Sequence, residues 1–113
     1  MKSRLFAKSP IISRTIARKA EIRAIVLGVV EFYQEQCRKA KIEPEGARWR
    51  ELRFSFPRHA AEAYSDIEAD DLWDELAYLV KCGCIKEYRT IFYPRYVIDY
   101  PTLRAFERKW NWA

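Results

Sequence analysis

The sequence predicts an α+β domain, mostly helical, with a long central N-terminal helix, a small antiparallel sheet and a short C-terminal helix. Three observations predict it. Ile22, Ile25, Val26, Val29, Tyr33 and Cys37 recur at the spacing of one buried helical stripe. The stretch DDLWDELAYLVKCGCI, Asp70 to Ile85, is an amphipathic run whose leucines stop at a glycine. The segment CIKEYRTIFYPRYVIDYP, residues 84–101, has the β-branched and aromatic content of two strands, with Pro94 near its centre to set a turn.

The chain has 113 residues, the size of one domain with a modest core. Half of them are hydrophobic and 15% are aromatic, enough to drive folding and to exclude wholesale disorder. The longest apolar run is AIVLGVV, Ala24 to Val30, far short of the roughly 18 or more residues of a membrane-spanning helix.

Taken in order, the first helix is expected from about Ser13 to Lys41, with Ser13 as its N-cap and Pro44 and Gly46 closing it. Val30 and Phe32 widen its apolar stripe, which marks it as the central helix. In ELRFSFP, Leu52, Phe54 and Phe56 alternate with Arg53 and Ser55, the pattern of a half-buried strand. The overlapping ARWRELR also reads as a short helix, and the sequence leaves both open. Pro57 suits the first position of a further helix, PRHAAEAY, in which Ala60, Ala61, Ala63 and Tyr64 allow close packing. Ser65 to Glu68, SDIE, has the form of a capping box ahead of the next helix, whose stripe is Leu72, Leu76, Leu79 and Val80. Gly83 stands where a left-handed cap is wanted. In the hairpin, Tyr96 and Ile98 fall on one face and Arg95, Val97 and Asp99 on the other. Pro101 opens the last helix, with Leu103, Phe106 and Trp110 inward and Arg104, Arg108 and Lys109 outward.

The net charge of +5 conceals a segmented distribution. Lys2, Arg4, Lys8, Arg14, Arg18, Lys19 and Arg23 face a single acid, Glu21, in the N-terminal segment. Residues 66–75 carry six acids and no base. The opening segment is acid-poor and basic, a composition shared with transit peptides; it is read here as a basic arm, residues 1–12, ahead of a single domain, residues 13–113. Cys37, Cys82 and Cys84 lack the spacing of a disulfide framework, so a reducing, intracellular (cytoplasmic) setting is expected. A closed zinc site would need Cys37 and the only histidine, His59, to converge on the Cys82–Cys84 pair. Buried free cysteine behaves as a small hydrophobe, and no metal or cofactor is expected.

The order helix, strand, helix, helix, strand, turn, strand, helix resembles the winged helix-turn-helix superfamily over roughly Arg23 to Pro101. The residues carrying the resemblance are LWDELAYLVKCGCI, with Leu72, Leu76 and Leu79 as the spaced leucines, Gly83 as the cap and Ile85 opening the wing. YVIDYP, Tyr96 to Pro101, is similar to the end of winged-helix modules in some plasmid and phage replication proteins, without the glycine-rich wing tip those carry. The resemblance implies nucleic-acid binding, usually with the third helix in the major groove and the wing on the backbone or minor groove.

The residues of the third helix argue against that usual arrangement. Asp70, Asp71, Asp74 and Glu75 are repelled by phosphates, which dominate affinity; acids in a first turn are ordinarily explained by the helix dipole. Two surfaces remain for nucleic acid. One is the wing, with Lys86, Arg89, Phe92, Tyr93, Arg95 and Tyr96; the other is the arm, with Arg14, Arg18, Lys19 and Arg23. Cations interleaved with aromatics suit backbone contact and stacking on bases, particularly on single strands. Duplex or single-stranded DNA is the expected partner, although solubility alone also accounts for surface charge. The expected function is that of a non-enzymatic DNA-binding regulator or accessory replication factor.

The alternative is a protein-interaction module, an inhibitor or adaptor or a homodimer, using Asp70, Asp71, Trp73, Asp74, Glu75 and Tyr78 as its docking face. Trp110 and Trp112 would cover the core or join two copies. An enzyme is the least supported class. Three glycines make no phosphate-cradling loop, and one histidine without a spaced carboxylate partner leaves no acid–base constellation.

Overall fold

The computed structural model describes the backbone of residues 3–63, 67–89 and 93–110, and the side chains in those ranges other than 3–17 and 110. Helix α1 runs from Ser3 to Ala40. Its 38 residues rise roughly 57 Å at 1.5 Å per residue, so this one element spans the molecule's longest extent, 59 Å. Ser13 therefore lies inside the helix and does not cap it. The reason is local: Leu5, Ala7 and Lys8 are good helix formers, and a serine ahead of an apolar run does not by itself end what precedes it.

Along α1, Ile22, Val26, Val29, Val30 and Cys37 are buried, Ile25 and Tyr33 half-buried, as the spacing predicts. Phe32 departs from that pattern and is 55% exposed. The stripe packs against all the other main elements: β1 (Ala47–Arg48), α2 (Trp49–Glu62), α3 (Ala69–Cys82) and β3 (Arg95–Ile98). Together with β2 (Ile85–Tyr88) and α4 (Tyr100–Trp110), these give four helices and a three-stranded antiparallel sheet in the order β1-β3-β2. The architecture is the α+β, mostly helical one expected, and it is compatible in general terms with a winged-helix-like fold.

The segment 52–56 is a correction. It is helical, within α2, and the first strand is instead the two-residue β1 just ahead of it. Leu52 and Phe56 satisfy both a strand period of two and a helical i, i+4 spacing; the residues between them decide. Phe54 is 60% exposed, whereas Ser55 is buried with its hydroxyl 2.5 Å from that of Tyr33. Glu51 supports the helix start by accepting from the Arg48 backbone N–H at 2.8 Å. Pro57 accordingly sits inside α2 and does not begin a helix. It lies on the exposed side, where the carbonyl one turn back can turn to water.

Helix α3 begins at Ala69, with the Glu68 backbone N–H donating to the Asp71 carboxylate at 2.8 Å. The box expected at Ser65 to Glu68 is a correction: Ile67 and Glu68 precede the helix, Glu68 is its N-cap and Asp71 takes the N3 position, because Asp71 reaches back to the Glu68 N–H. Ser65 and Tyr64 themselves lie outside the described residues. Leu72, Leu76 and Leu79 are buried and Val80 half-buried. Gly83 has φ +85, and the Gly83 and Cys84 N–H groups return to the Val80 and Leu79 carbonyls, closing the helix in the left-handed manner glycine allows. Ile85 then enters the core and opens β2. Tyr96 and Ile98 of β3 face inward and Arg95, Val97 and Asp99 lie on the other, more open side. Asp99 caps α4, accepting from the Thr102 N–H at 3.3 Å; Leu103 is buried, Phe106 packs against the core, and Trp110 lies beyond the described side chains.

Two contacts tie the sheet to α1. Because β1 has only two residues, β3 extends beyond it, and the Ile98 N–H has no strand partner on that side. The buried Gln34 of α1 takes it with its side-chain oxygen at 3.0 Å. At the α1–β1 connection Gly46 (φ +140) presses against β3, so that a Cβ there would stand 2.9 Å from the Tyr96 carbonyl oxygen and 2.9 Å from Val97 Cγ2. Gly46→Ala is expected to lower stability by about 2 kcal/mol or more, from backbone strain and displacement of β3. A urea unfolding midpoint unchanged from the parent would refute that account.

Candidate nucleic-acid interface

The acidic start of α3 is largely used by the protein itself. Asp71 caps the helix, and Glu75 receives the Nε–H of Arg23 on α1 at 2.5 Å, with the two side chains only 14% and 10% exposed. The Arg23 guanidinium also lies 5.3 Å from the Tyr78 ring centre. Asp70 and Asp74 remain exposed, and Tyr78 is partly so. Trp73 turns inward: it meets the fully buried Phe56 edge-on at 4.8 Å and Trp49 at 6.2 Å. Of the six residues read as an acidic docking face, Asp71, Trp73, Glu75 and Tyr78 are thus engaged in capping, pairing or packing.

On the wing, Lys86 and Arg89 project into solvent, with loose ion pairs to Asp99 (3.7 Å) and Glu87 (3.9 Å). Arg95 is a brace. Its guanidinium donates to the Glu45 carbonyl at 2.6 Å and lies 4.4 Å from the Tyr88 ring centre. Arg48, opposite it on β1, donates to the Gly46 and Pro44 carbonyls at 2.6 and 2.7 Å. These two arginines hold the 43–46 turn through the Pro44, Glu45 and Gly46 carbonyls, the last of which also accepts from the Cys37 thiol at 3.3 Å. Tyr96 belongs to the core and donates its hydroxyl to Glu87 at 2.8 Å; burial and that carboxylate push the phenol well above its ordinary pKa. Phe92 lies outside the described residues, as does the side chain of Arg14. Arg18 is half-buried and Lys19 exposed on α1, one turn from the buried Arg23.

Tyr93 does not stand alone on the wing. Its ring stacks on Trp49, centres 5.6 Å apart and planes 10° from parallel. Arg50 lies 5.7 Å from the Tyr93 ring centre and Arg53 5.4 Å from that of Trp49, both exposed. The backbone ties the two elements at this point: the Trp49 N–H donates to the Pro94 carbonyl at 3.1 Å. Trp49, Arg50 and Arg53 are not among the residues the sequence singles out, although ARWRELR is open there as a short helix. The spacing Trp49, Arg50, Arg53 across one helical turn was the available signal, but nothing local connects it to Tyr93.

Elsewhere, His59 is exposed on α2, where it lines an open groove against α1. Among the described residues no group of three or more His, Cys, Asp or Glu side chains is placed to hold a metal ion, and no helix is long and apolar enough to cross a membrane. Cys37 and Cys84 are buried and Cys82 is partly open. Burial, and then the neighbouring Cys82, push the Cys84 thiol up to about 11.

In the folded protein at mildly alkaline pH, a disulfide reagent should titrate Cys82 promptly and the other two thiols only after denaturant. Equal rates at all three would contradict the burial. The raised Cys84 value also favours the fold at low pH; its contribution is complete below about 9, the ordinary thiol value, and is lost as pH rises through about 11. For the ion pair, Glu75→Leu should cost about 3 kcal/mol by taking the carboxylate away from the nearly enclosed Arg23 guanidinium. Combining it with Arg23→Met should recover most of that loss in urea unfolding. A double variant as unstable as the single would show that the pair does not act as a unit.

Comparison with known protein families, with characterised proteins and with solved structures finds no match to this chain.

Proposed function

We propose that this chain is a non-enzymatic nucleic-acid-binding protein, a regulator or accessory replication factor, that contacts its ligand with the wing side of the sheet and the basic N-terminal segment. The observation that supports this reading is how the charges are spent. Asp71 and Glu75 are engaged within the protein, and the acids left open on α3, Asp70 and Asp74, disfavour insertion of that helix between phosphates. The open cations nearest the wing are Lys86 and Arg89, and Arg50 and Arg53 stand at the start of α2 beside Tyr93. Such cations provide the sequence-independent term of binding, and the wing aromatics add contact area.

A protein-docking role for α3 has less to work with, since Trp73 and Glu75 turn inward and Asp71 caps the helix. Titration of the chain with duplex and single-stranded DNA at two salt concentrations tests the proposal. Lys86→Ala with Arg89→Ala should weaken binding several-fold and flatten its salt dependence. Asp70→Lys with Asp74→Lys should strengthen nonspecific binding. Absence of binding at low salt ends the reading, and a protein partner lost on the same charge reversal would favour the docking role instead.

A further inference from the structure

We infer that Trp49 and Tyr93, with Arg50 and Arg53, form a stacking site for an unpaired nucleobase, so that the preferred ligand is single-stranded. The inference rests on the nucleic-acid reading above and specifies where and what the chain binds. Tyr93 is 44% exposed. It is nevertheless held in place. Tyr93 lies on Trp49, Trp49 is bonded through its backbone to Pro94 and neighbours Trp73, and Trp73 abuts the fully buried Phe56. A chain of ring contacts thus runs from the core to the surface. An aromatic platform already fixed in this way loses little freedom when a base stacks on it.

The two arginines supply the second half of the site. Both are exposed, and each guanidinium lies near one of the stacked rings. A cation–π contact at an exposed position is weak, and base–aromatic stacking is stronger. A base arriving at the platform displaces a guanidinium from the ring or stacks on it, and the released cation reaches the flanking phosphate. Of the carboxylates nearby in sequence, Glu51 is turned back onto the Arg48 N–H, and Glu87 takes the Tyr96 hydroxyl with Arg89 3.9 Å away. In a duplex both faces of each base are already covered by neighbours. The platform therefore selects unpaired bases, while Asp70 and Asp74 disfavour the groove-reading alternative through α3.

The test is anisotropy titration of the full chain with a labelled oligothymidylate, its duplex, and an abasic strand of the same length. The oligothymidylate should bind at least tenfold more tightly than either of the others. Tyr93→Ala should weaken oligothymidylate binding about tenfold and leave abasic binding unchanged, while Tyr93→Phe keeps the parent affinity. Arg50→Gln with Arg53→Gln, two surface changes that leave the rings in place, should lower the salt slope by about 1.4, two phosphates on a single strand. Near-ultraviolet dichroism confirms that each variant is folded. Equal binding of the abasic strand, or an unchanged affinity in folded Tyr93→Ala, overturns the stacking site but leaves nucleic-acid binding standing. No binding to any of the three strands removes both, and so does capture of a proline-rich peptide on the same rings with no nucleic acid bound.

Discussion

Burial of one stripe of α1 is the constraint on which everything else rests. Between Ile22 and Cys37 this helix presents a single apolar face, and α2, α3, β1 and β3 each cover part of it. A two-residue strand and a hairpin of two four-residue strands are marginal without a helix beneath them. The same face carries the polar groups that complete the packing. Gln34 satisfies the β3 edge, and Tyr33 meets the Ser55 hydroxyl. Because these groups are buried, each removes a desolvation penalty that a buried unpaired donor or acceptor would otherwise carry, about 1–3 kcal/mol.

Charge in this molecule divides into groups that hold the fold and groups that are free to act outward. Arg23, Arg48 and Arg95 are braces. The first crosses from α1 to α3, and the other two bind the carbonyls of the 43–46 turn. Arginine suits that work because its planar fork offers several donors in fixed directions. Lys86 and Arg89 hold ion pairs of 3.7 and 3.9 Å, Arg50 and Arg53 rest near aromatic rings, and all four lie in solvent. A basic net charge is therefore a poor guide to where a ligand sits. What matters is which cations remain after the fold has used its share.

The legibility of the sequence varied with the range of the interaction. The end of α3 was readable: spaced leucines, a capping glycine and an isoleucine entering the sheet all act within a few residues of one another. The hairpin and its inward pair Tyr96 and Ile98 were readable for the same reason. The 52–56 segment was misassigned because Leu52 and Phe56 fit two periods equally, and only the partners decide that Ser55 turns in and Phe54 out. The Trp49–Arg50–Arg53 turn is compatible with the helix that ARWRELR allows, but its partner Tyr93 lies 44 residues away and no local signal joins them.

The sequence by itself determined the class of fold, the position of α3 and of the hairpin, and the unsuitability of an acidic helix start for phosphate. Those follow from periodicity, caps and local charge, which neighbours along the chain settle among themselves. Only the tertiary structure decided that Glu75 answers Arg23 across 52 residues, that Trp73 packs inward, and that Trp49 and Tyr93 share one stack. These pairings depend on how α2, α3 and the wing settle around α1. Side chains distant in sequence meet only because the same stripe of α1 had to be covered.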